Sequence, residues 1–371
     1  MTLDRRHLLS AFALSGAASL VGCSSASSGG PTAEPQGTNP DTTKTPTPSS
    51  SDPVTPKVRS TIATGVNVPW GLAFLASQDA LVSERDRARV LKVTADGNKT
   101  EIGTIAGVDT DAGEGGLLGI ALTPDESELY AYYTSADDNR VVRMSFDGTR
   151  LGNASTVLTA IPRSTFHNGG RIAFGPDGQL YVTTGDAGET GNAMDRKSLA
   201  GKILRLTPAG RPAPGNPFDN AAWSIGHRNI QGIAWDKADR LWATEFGNKR
   251  IDELNQIVAG KNYGWPEVEG RGDNDKYVNP KATWPTDVCS PSGLAIARST
   301  AFVAGLRGES LYSVALDGTT AATPERLFEG KYGRIRTVAV APDGALWMTT
   351  SNTDGRADPG RDDDRILRVT I

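Results

Sequence analysis

Apolar residues along this chain come in short bursts separated by turn residues, and six of the bursts share one form. Each opens with an aliphatic residue, an alanine and a large apolar residue: Leu72-Ala73-Phe74, Ile120-Ala121-Leu122, Ile172-Ala173-Phe174, Ile233-Ala234-Trp235, Leu294-Ala295-Ile296 and Val338-Ala339-Val340. The central alanines stand 48, 52, 61, 61 and 44 residues apart. A second burst follows each opener, centred on Val82, Tyr130, Tyr181, Trp242, Phe302 and Trp347. A third usually comes next, as in Val90-Leu91-Lys92-Val93 and Ile203-Leu204-Arg205-Leu206. Self-similarity at roughly 40–50 residues with several short strands per unit predicts an all-β, six-bladed β-propeller of four-stranded antiparallel blades. Outer strands are expected just before the next opener, at Glu101-Ile102-Gly103-Thr104-Ile105, Thr156-Val157-Leu158 and Arg326-Leu327-Phe328. The last unit ends at Val369 with three strands, whereas residues 58–63 have no opener before them. That N-terminal segment is therefore expected to complete the last blade and close the ring, leaving no exposed edge.

The remainder of the N-terminus reads differently. Arg5-Arg6 followed by His7-Leu8-Leu9 resembles a twin-arginine export signal. The apolar stretch 8–21 runs into Leu20-Val21-Gly22-Cys23, which looks like a lipobox, with an ordinary cleaved signal as the other reading. On the lipobox reading residues 1–22 are a signal peptide and Cys23 is the lipidated first residue of the mature chain. Residues 24–57 lack aromatic side chains and are dominated by Ser, Thr, Pro and Gly. Such a segment buries too little apolar surface to offset its ordering entropy, so residues 23–57 are expected to tether the propeller at 58–371 to a membrane. The protein is then exported, extracytoplasmic and lipid-anchored. The chain has 2 cysteines, so acylation of Cys23 leaves Cys289 without a disulfide partner, as a buried small hydrophobe. The formal charge of −4 becomes one unit more acidic when Asp4, Arg5 and Arg6 are removed. A mildly acidic chain with no basic run argues against a nucleic-acid partner.

Turn sequences select a face. Pro124-Asp125-Glu126, Pro176-Asp177-Gly178 and Pro342-Asp343-Gly344 all lie between first and second strands, at one end of the propeller. Segments before first strands, or after second strands, belong at the other end. Those segments hold Gly113-Glu114-Gly115-Gly116, His167-Asn168-Gly169-Gly170-Arg171, Gly226-His227-Arg228-Asn229, Arg334-Ile335-Arg336, Glu84-Arg85, Gly185-Asp186, Glu245-Phe246-Gly247-Asn248 and Arg307. Chemistry is thus expected on this upper face, on loops held by a rigid scaffold.

His167 is the leading candidate for a general base, because Asp186 closes the same hairpin and a carboxylate beside an imidazole fixes its tautomer. The other reading is a histidine that satisfies a loop carbonyl. Arg228, Arg307, Arg334 and Arg336 converge on this face from three units and suit bidentate capture of an anion with several carboxylates. Alternatively they pair with Glu84, Glu114 and Glu245. His227 is readable as packed or as part of the site, and Trp265 as blade core. Acidic clusters at Asp109-Thr110-Asp111 and Asp362-Asp363-Asp364 are open to calcium, whose ligands are oxygens, or are solvated loops. No zinc spacing, P-loop or dinucleotide fingerprint occurs.

Glu114-Gly115-Gly116-Leu117-Leu118-Gly119, His167-Asn168-Gly169-Gly170-Arg171, Gly226-His227-Arg228-Asn229-Ile230-Gln231-Gly232, and Asp252-Glu253-Leu254-Asn255 through Asn262-Tyr263-Gly264-Trp265-Pro266 resemble the soluble quinoprotein glucose and aldose sugar dehydrogenases. The resemblance spans residues 60–371 in consistent order, and the family includes exported lipoproteins. It implies a six-bladed propeller that uses pyrroloquinoline quinone (PQQ) and calcium. It implies that His167 takes the proton of a sugar's anomeric hydroxyl as hydride passes to the quinone, that Asp186 orients His167, and that Arg228 stabilises negative charge on the quinone. Glu114, Asn229, Arg307, Arg334 and Arg336 would contact the cofactor, and the backbone carbonyls of Gly247 and Asn248 would bind calcium. A sugar and a separate electron acceptor are the implied partners. The chain departs from better-known members at Glu114 for glutamine, Phe166 for an acidic residue, Asn248 for proline and Arg307 for lysine. Long substrate-loop insertions are absent, which implies an open site with a broad aldose range.

Two rivals stand beside this reading. A calcium-dependent lactonase on the same scaffold needs carboxylate and asparagine ligands at the channel mouth, where this chain carries arginines. A non-catalytic surface propeller that captures carbohydrate or protein is compatible with the fold alone.

Overall fold

A computed structural model describes residues 55–371. The signal segment, the lipobox with Cys23 and the linker as far as residue 54 lie outside the described residues. Six antiparallel sheets follow one another along the chain, at 69–104, 117–161, 172–225, 230–285, 291–327 and 335–370, here called blades 1 to 6. Five have four strands each, and blade 5 splits its outer position between Thr320–Ala321 and Glu325–Leu327, both paired with Ser310–Asp317.

The expected closure is present. The strand Lys57–Ala63 pairs antiparallel with Ile366–Thr370 and completes blade 6, with Val58 opposite Val369 and Ala63 opposite Ile366. The strand enters at the turn-marked end of the blade, because Ile366 in turn faces Thr349 at the upper end.

The aromatic and aliphatic residues of the second strands form the layers between blades. Val82, Tyr130, Trp242 and Phe302 are all fully buried, and Trp347 and Tyr181 nearly so. Each such side chain contributes roughly 1.5–3 kcal/mol on leaving water. Tyr130 meets Phe174 edge to face at 5.1 Å, and Phe74 meets Trp347 the same way at 5.1 Å, so aromatic pairs stitch successive blades. Cys289 is buried as expected.

The residue two before each opener alanine faces the axis. It is glycine in four blades, and a Cβ there would collide with the next blade: at Gly119 it would lie 2.3 Å from Gly170 O, and at Gly232 2.4 Å from Ser292 O. Blade 3 has Arg171 at this position. Its guanidinium crosses the axis, donating to Gln231 O (2.8 Å), Trp70 O (3.2 Å) and Thr337 Oγ1 (3.0 Å). It also lies 4.2 Å over the Trp70 ring. Four blades are thereby tied at one point. Just above it, the inner strands of five blades carry register shifts, for example between Leu117 and Ile120 and between Pro291 and Leu294. Bulges bend strands and re-aim side chains, and here they open the upper mouth.

Candidate active site

Glu114, His167, Arg228, Asn229, Gly247, Asn248, Arg307 and Arg334 line one cavity of about 440 Å³ at that mouth. Chain segments from blades 2 to 6 thus meet where loop position alone placed them. Asp186 lies behind His167. Arg336 does not reach the cavity, but borders a smaller void of about 40 Å³ beside it, with Arg85, Gln231 and Asp354.

His167 sits in the left-handed region at φ 58°, followed by Gly169 at 61° and Gly170 at 103°. A non-glycine residue is held there only when its surroundings over-determine it. Here Gly185 packs so closely on the His167 carbonyl that a Cβ would lie 1.9 Å from it. Nδ1 of His167 is 2.7 Å from Oδ1 of Asp186. Oδ1 also accepts the Gly188 N–H (2.8 Å), and Oδ2 accepts Trp265 Nε1–H (2.8 Å). Burial opposes ionisation of Asp186, but the bonds from His167, Gly188 and Trp265 outweigh it and hold the carboxyl below its ordinary range. An ionised Asp186 accepts from Nδ1–H, which leaves Nε2 as the basic nitrogen. Phe166, half exposed, stands edge-on over the imidazole at 4.7 Å. Glu114 holds the loop from the other side, accepting the His167 N–H at 3.1 Å while pairing with Arg356 at 2.8 Å.

The cations are unequally compensated. Arg334 and Arg336 share one carboxylate oxygen, Asp354 Oδ2, at 3.0 and 3.2 Å. Arg336 also donates to Gln231 and Ser351, and burial lowers its pKa to about 9. Arg307 is exposed and makes no ion pair among the described residues. Arg228 donates its backbone N–H to Glu245 and lies 5.5 Å over the Trp265 ring, while its buried Nε has no partner among the described residues. Asn229 Oδ1 accepts the Gly169 N–H at 3.0 Å. A pocket with more arginines than carboxylates, and a buried guanidinium nitrogen left over, fits a ligand with several carboxylates.

The loop after the second strand of blade 4 carries Gly247 and Asn248. Asp252 clamps it: Oδ1 accepts the Gly247 N–H (2.8 Å) and Oδ2 the Ser290 N–H (2.7 Å). Burial pushes the Asp252 carboxyl up to about 6. Glu269 lies on the far side, held below its ordinary range by four backbone N–H bonds that outweigh its burial.

Other sequence candidates resolve into structural roles. His227 is buried between Ser224 Oγ and Glu245 Oε2, each at 2.8 Å, and stacks on Tyr263. Asp109 pairs with Arg163 and Asp363 with Arg365. Among the described residues, no group of three or more His, Cys, Asp and Glu side chains could hold a metal. Trp265 belongs to the site rather than to a blade core. It arrives on the connection after the third strand of blade 4, which climbs the outer edge of blade 3 through bonds from Tyr263 N to Ile225 O (2.9 Å) and Trp265 N to Gly226 O (3.0 Å). No sequence motif marks Asp354, although it follows the second strand of blade 6 as Asp186 follows that of blade 3.

Ring and cavity together define a propeller with a carboxylate-oriented histidine in a cationic pocket. The family model described as Glucose / Sorbosone dehydrogenase matches residues 66–367, and the chain belongs to that family. It is similar to the PQQ-bound form of aldose sugar dehydrogenase from Streptomyces coelicolor, with 55% identity, a TM-score of 0.83, and coverage of 85% of this chain and 98% of that one. The aldose sugar dehydrogenase of Escherichia coli is 29% identical over 77% of this chain and 88% of its own. Quinoprotein glucose dehydrogenase B of Acinetobacter calcoaceticus is 29% identical over 59% of this chain and 54% of its own.

Proposed function

We propose that the protein is a quinoprotein sugar dehydrogenase that oxidises an aldose at its anomeric carbon to the lactone, with His167 as general base. The observation that carries this is the Asp186–His167 pair, opening onto a cavity whose arginines exceed its carboxylates. PQQ bound there supplies the quinone that accepts hydride, and Ca²⁺ supplies Lewis-acid polarisation of it.

The chain does the rest. Asp186 keeps the proton on Nδ1, so Nε2 of His167 receives the proton of the anomeric hydroxyl. Arg228 would stabilise negative charge on the quinone, Arg307 and Arg334 would meet the cofactor's carboxylates beside Asn229, and Arg336, which does not line the cavity, would act by steadying Asp354 and Arg334. The Gly247 and Asn248 carbonyls would be the calcium donors. Phe166 covers the base and restricts water around it. Glu114 positions the His167 loop and would border the cofactor. The propeller is held outside the cytoplasm by lipid on Cys23, a reading supported by the Leu20-Val21-Gly22-Cys23 lipobox, and passes electrons to a separate acceptor.

The test is a spectral titration of the purified protein with PQQ in calcium buffer, followed by a panel of aldoses. Tight binding and sugar-dependent reduction are expected. Absence of PQQ binding would sink the reading and favour the lactonase or the non-catalytic propeller.

A further inference from the structure

The loop that offers the Gly247 and Asn248 carbonyls has an unusual anchor. A single oxygen, Oε1 of Glu269, accepts the backbone N–H of Asn248 (2.8 Å), Lys249 (3.0 Å), Arg250 (2.9 Å) and Ile251 (3.1 Å). The peptide bonds of this loop are trans, the cis bonds among the described residues being Trp265–Pro266 and Asp363–Asp364. In a trans peptide, N–H and C=O point in opposite directions. The N–H of Asn248 shares its peptide with the Gly247 carbonyl, and the N–H of Lys249 shares its peptide with the Asn248 carbonyl. Both carbonyls therefore point away from Glu269.

The loop also separates two spaces. Glu269 borders a void of about 10 Å³ behind it. Asn248 lines only the cavity of about 440 Å³ in front, which Glu269 does not reach, and Gly247, at the divide, borders both spaces. Carbonyls turned from Glu269 are thus turned toward the cavity. Glycine at 247 is required for this wrap, since a Cβ would lie 1.9 Å from Ile251 O and 2.9 Å from Glu269 Oε1.

We infer that Glu269 is a positioning residue for the cation: it gathers the loop's N–H groups on one side and so aims the Gly247 and Asn248 carbonyls at the cavity on the other. The inference rests on the calcium reading above. An anionic oxygen in a nest of N–H donors makes charge-assisted bonds. Its charge, behind two neutral donors, also favours a cation in front of them.

The experiment is a calorimetric titration of calcium chloride into the full chain, with and without PQQ, for wild type, Glu269→Gln and Glu269→Ala. PQQ affinity in calcium-free buffer is measured alongside. Loss of a partner behind a metal ligand typically costs 10–100-fold in metal affinity. A loss of that size is expected for Glu269→Ala and a smaller one for Glu269→Gln, which keeps an acceptor oxygen, with calcium-free PQQ binding unchanged in both. Should the alanine variant fail to fold, the glutamine variant carries the same comparison. Wild-type calcium affinity in the folded variants overturns the inference and leaves the calcium reading intact. A parallel loss of calcium-free PQQ binding also overturns it, by making Glu269 a general staple of the fold. No calcium uptake by the wild type, with or without PQQ, overturns the calcium reading and this inference with it.

Discussion

Nδ1 of His167 lies 2.7 Å from Oδ1 of Asp186, and the same carboxylate is fixed on its other side by Trp265 Nε1–H at 2.8 Å. The imidazole therefore has one tautomer available while Asp186 is ionised. Asp186→Asn presents an amide that can donate to Nδ1 and so moves the proton to Nε2, where the lone pair is needed. We expect kcat to fall by about 10²–10⁴, the range a positioned base supplies, with PQQ affinity unchanged in a spectral titration. His167→Gln should abolish turnover and also leave cofactor binding intact. Full turnover in that variant would show that the base lies elsewhere.

Arg334 and Arg336 stand adjacent in the sequence pattern but do different work. Arg334 lines the cavity and Arg336 does not, although both pair with Asp354. Arg334→Ala removes a direct cationic partner, worth about 1.5–3 kcal/mol for a charged hydrogen bond, or roughly ten- to hundredfold in PQQ affinity. Arg336→Ala acts only through the placement of Arg334 and should weaken PQQ binding less. Equal losses in the two titrations would mean that Arg336 touches the cofactor directly.

Much of this was legible because a propeller turns position in the repeat into position in space. The opener alanines located the inner strands, and the turn dipeptides told the two ends apart. His167, Asp186 and the arginines then fell on one face by their place relative to strands. The same rule covers Asp354, which has no neighbouring motif to mark it. Trp265 and Glu269 obey a different logic. They lie on a connection that begins at the turn-marked end of blade 4 and climbs the edge of blade 3 by backbone pairing near Ile225 and Asn262. Nothing in strand periodicity encodes such a climb. The distinction between Arg334 and Arg336 was equally hidden, since depth below a cavity wall depends on packing and not on spacing.

Glu253 makes the stability of the ligand-free protein depend on pH. Burial, with Glu245 nearby, pushes its carboxyl up to about 8. In the unfolded chain it titrates near the ordinary value of about 4.3. Between these values the unfolded state releases a proton that the folded state keeps, so stability is greatest at the acid end and declines as pH rises toward about 8. Glu253→Gln should flatten this decline in melting temperature. The amide is accommodated: Glu253 accepts from Asn255 Nδ2 at 2.9 Å, and the Asn255 Oδ1 is buried without a partner. Rotation of the Asn255 amide then lets its Oδ1 accept from the introduced glutamine amide in place of the lost Nδ2–H bond. An unchanged pH slope in the variant would assign the dependence to another carboxyl.

Arg171 holds the ring at its axis with a charge that no carboxylate pairs among the described residues. Burial, and then the neighbouring Arg336, lowers its pKa to about 9. It is retained through bonds to Gln231 O, Trp70 O and Thr337 Oγ1 and through its stack on Trp70. Arg171→Ala removes three bonds linking blade 3 to blades 4, 1 and 6 and opens a cavity. At about 1 kcal/mol or more per bond, with an added cavity cost, the loss should be about 3–5 kcal/mol in denaturant unfolding. Arg171→Met fills the space and keeps contact with the Trp70 ring, and it also removes the cost of burying an unpaired charge. It should therefore recover part of the loss. If both variants unfold at the wild-type midpoint, the strand pairing of Lys57–Ala63 with Ile366–Thr370 closes the ring without help from the axis.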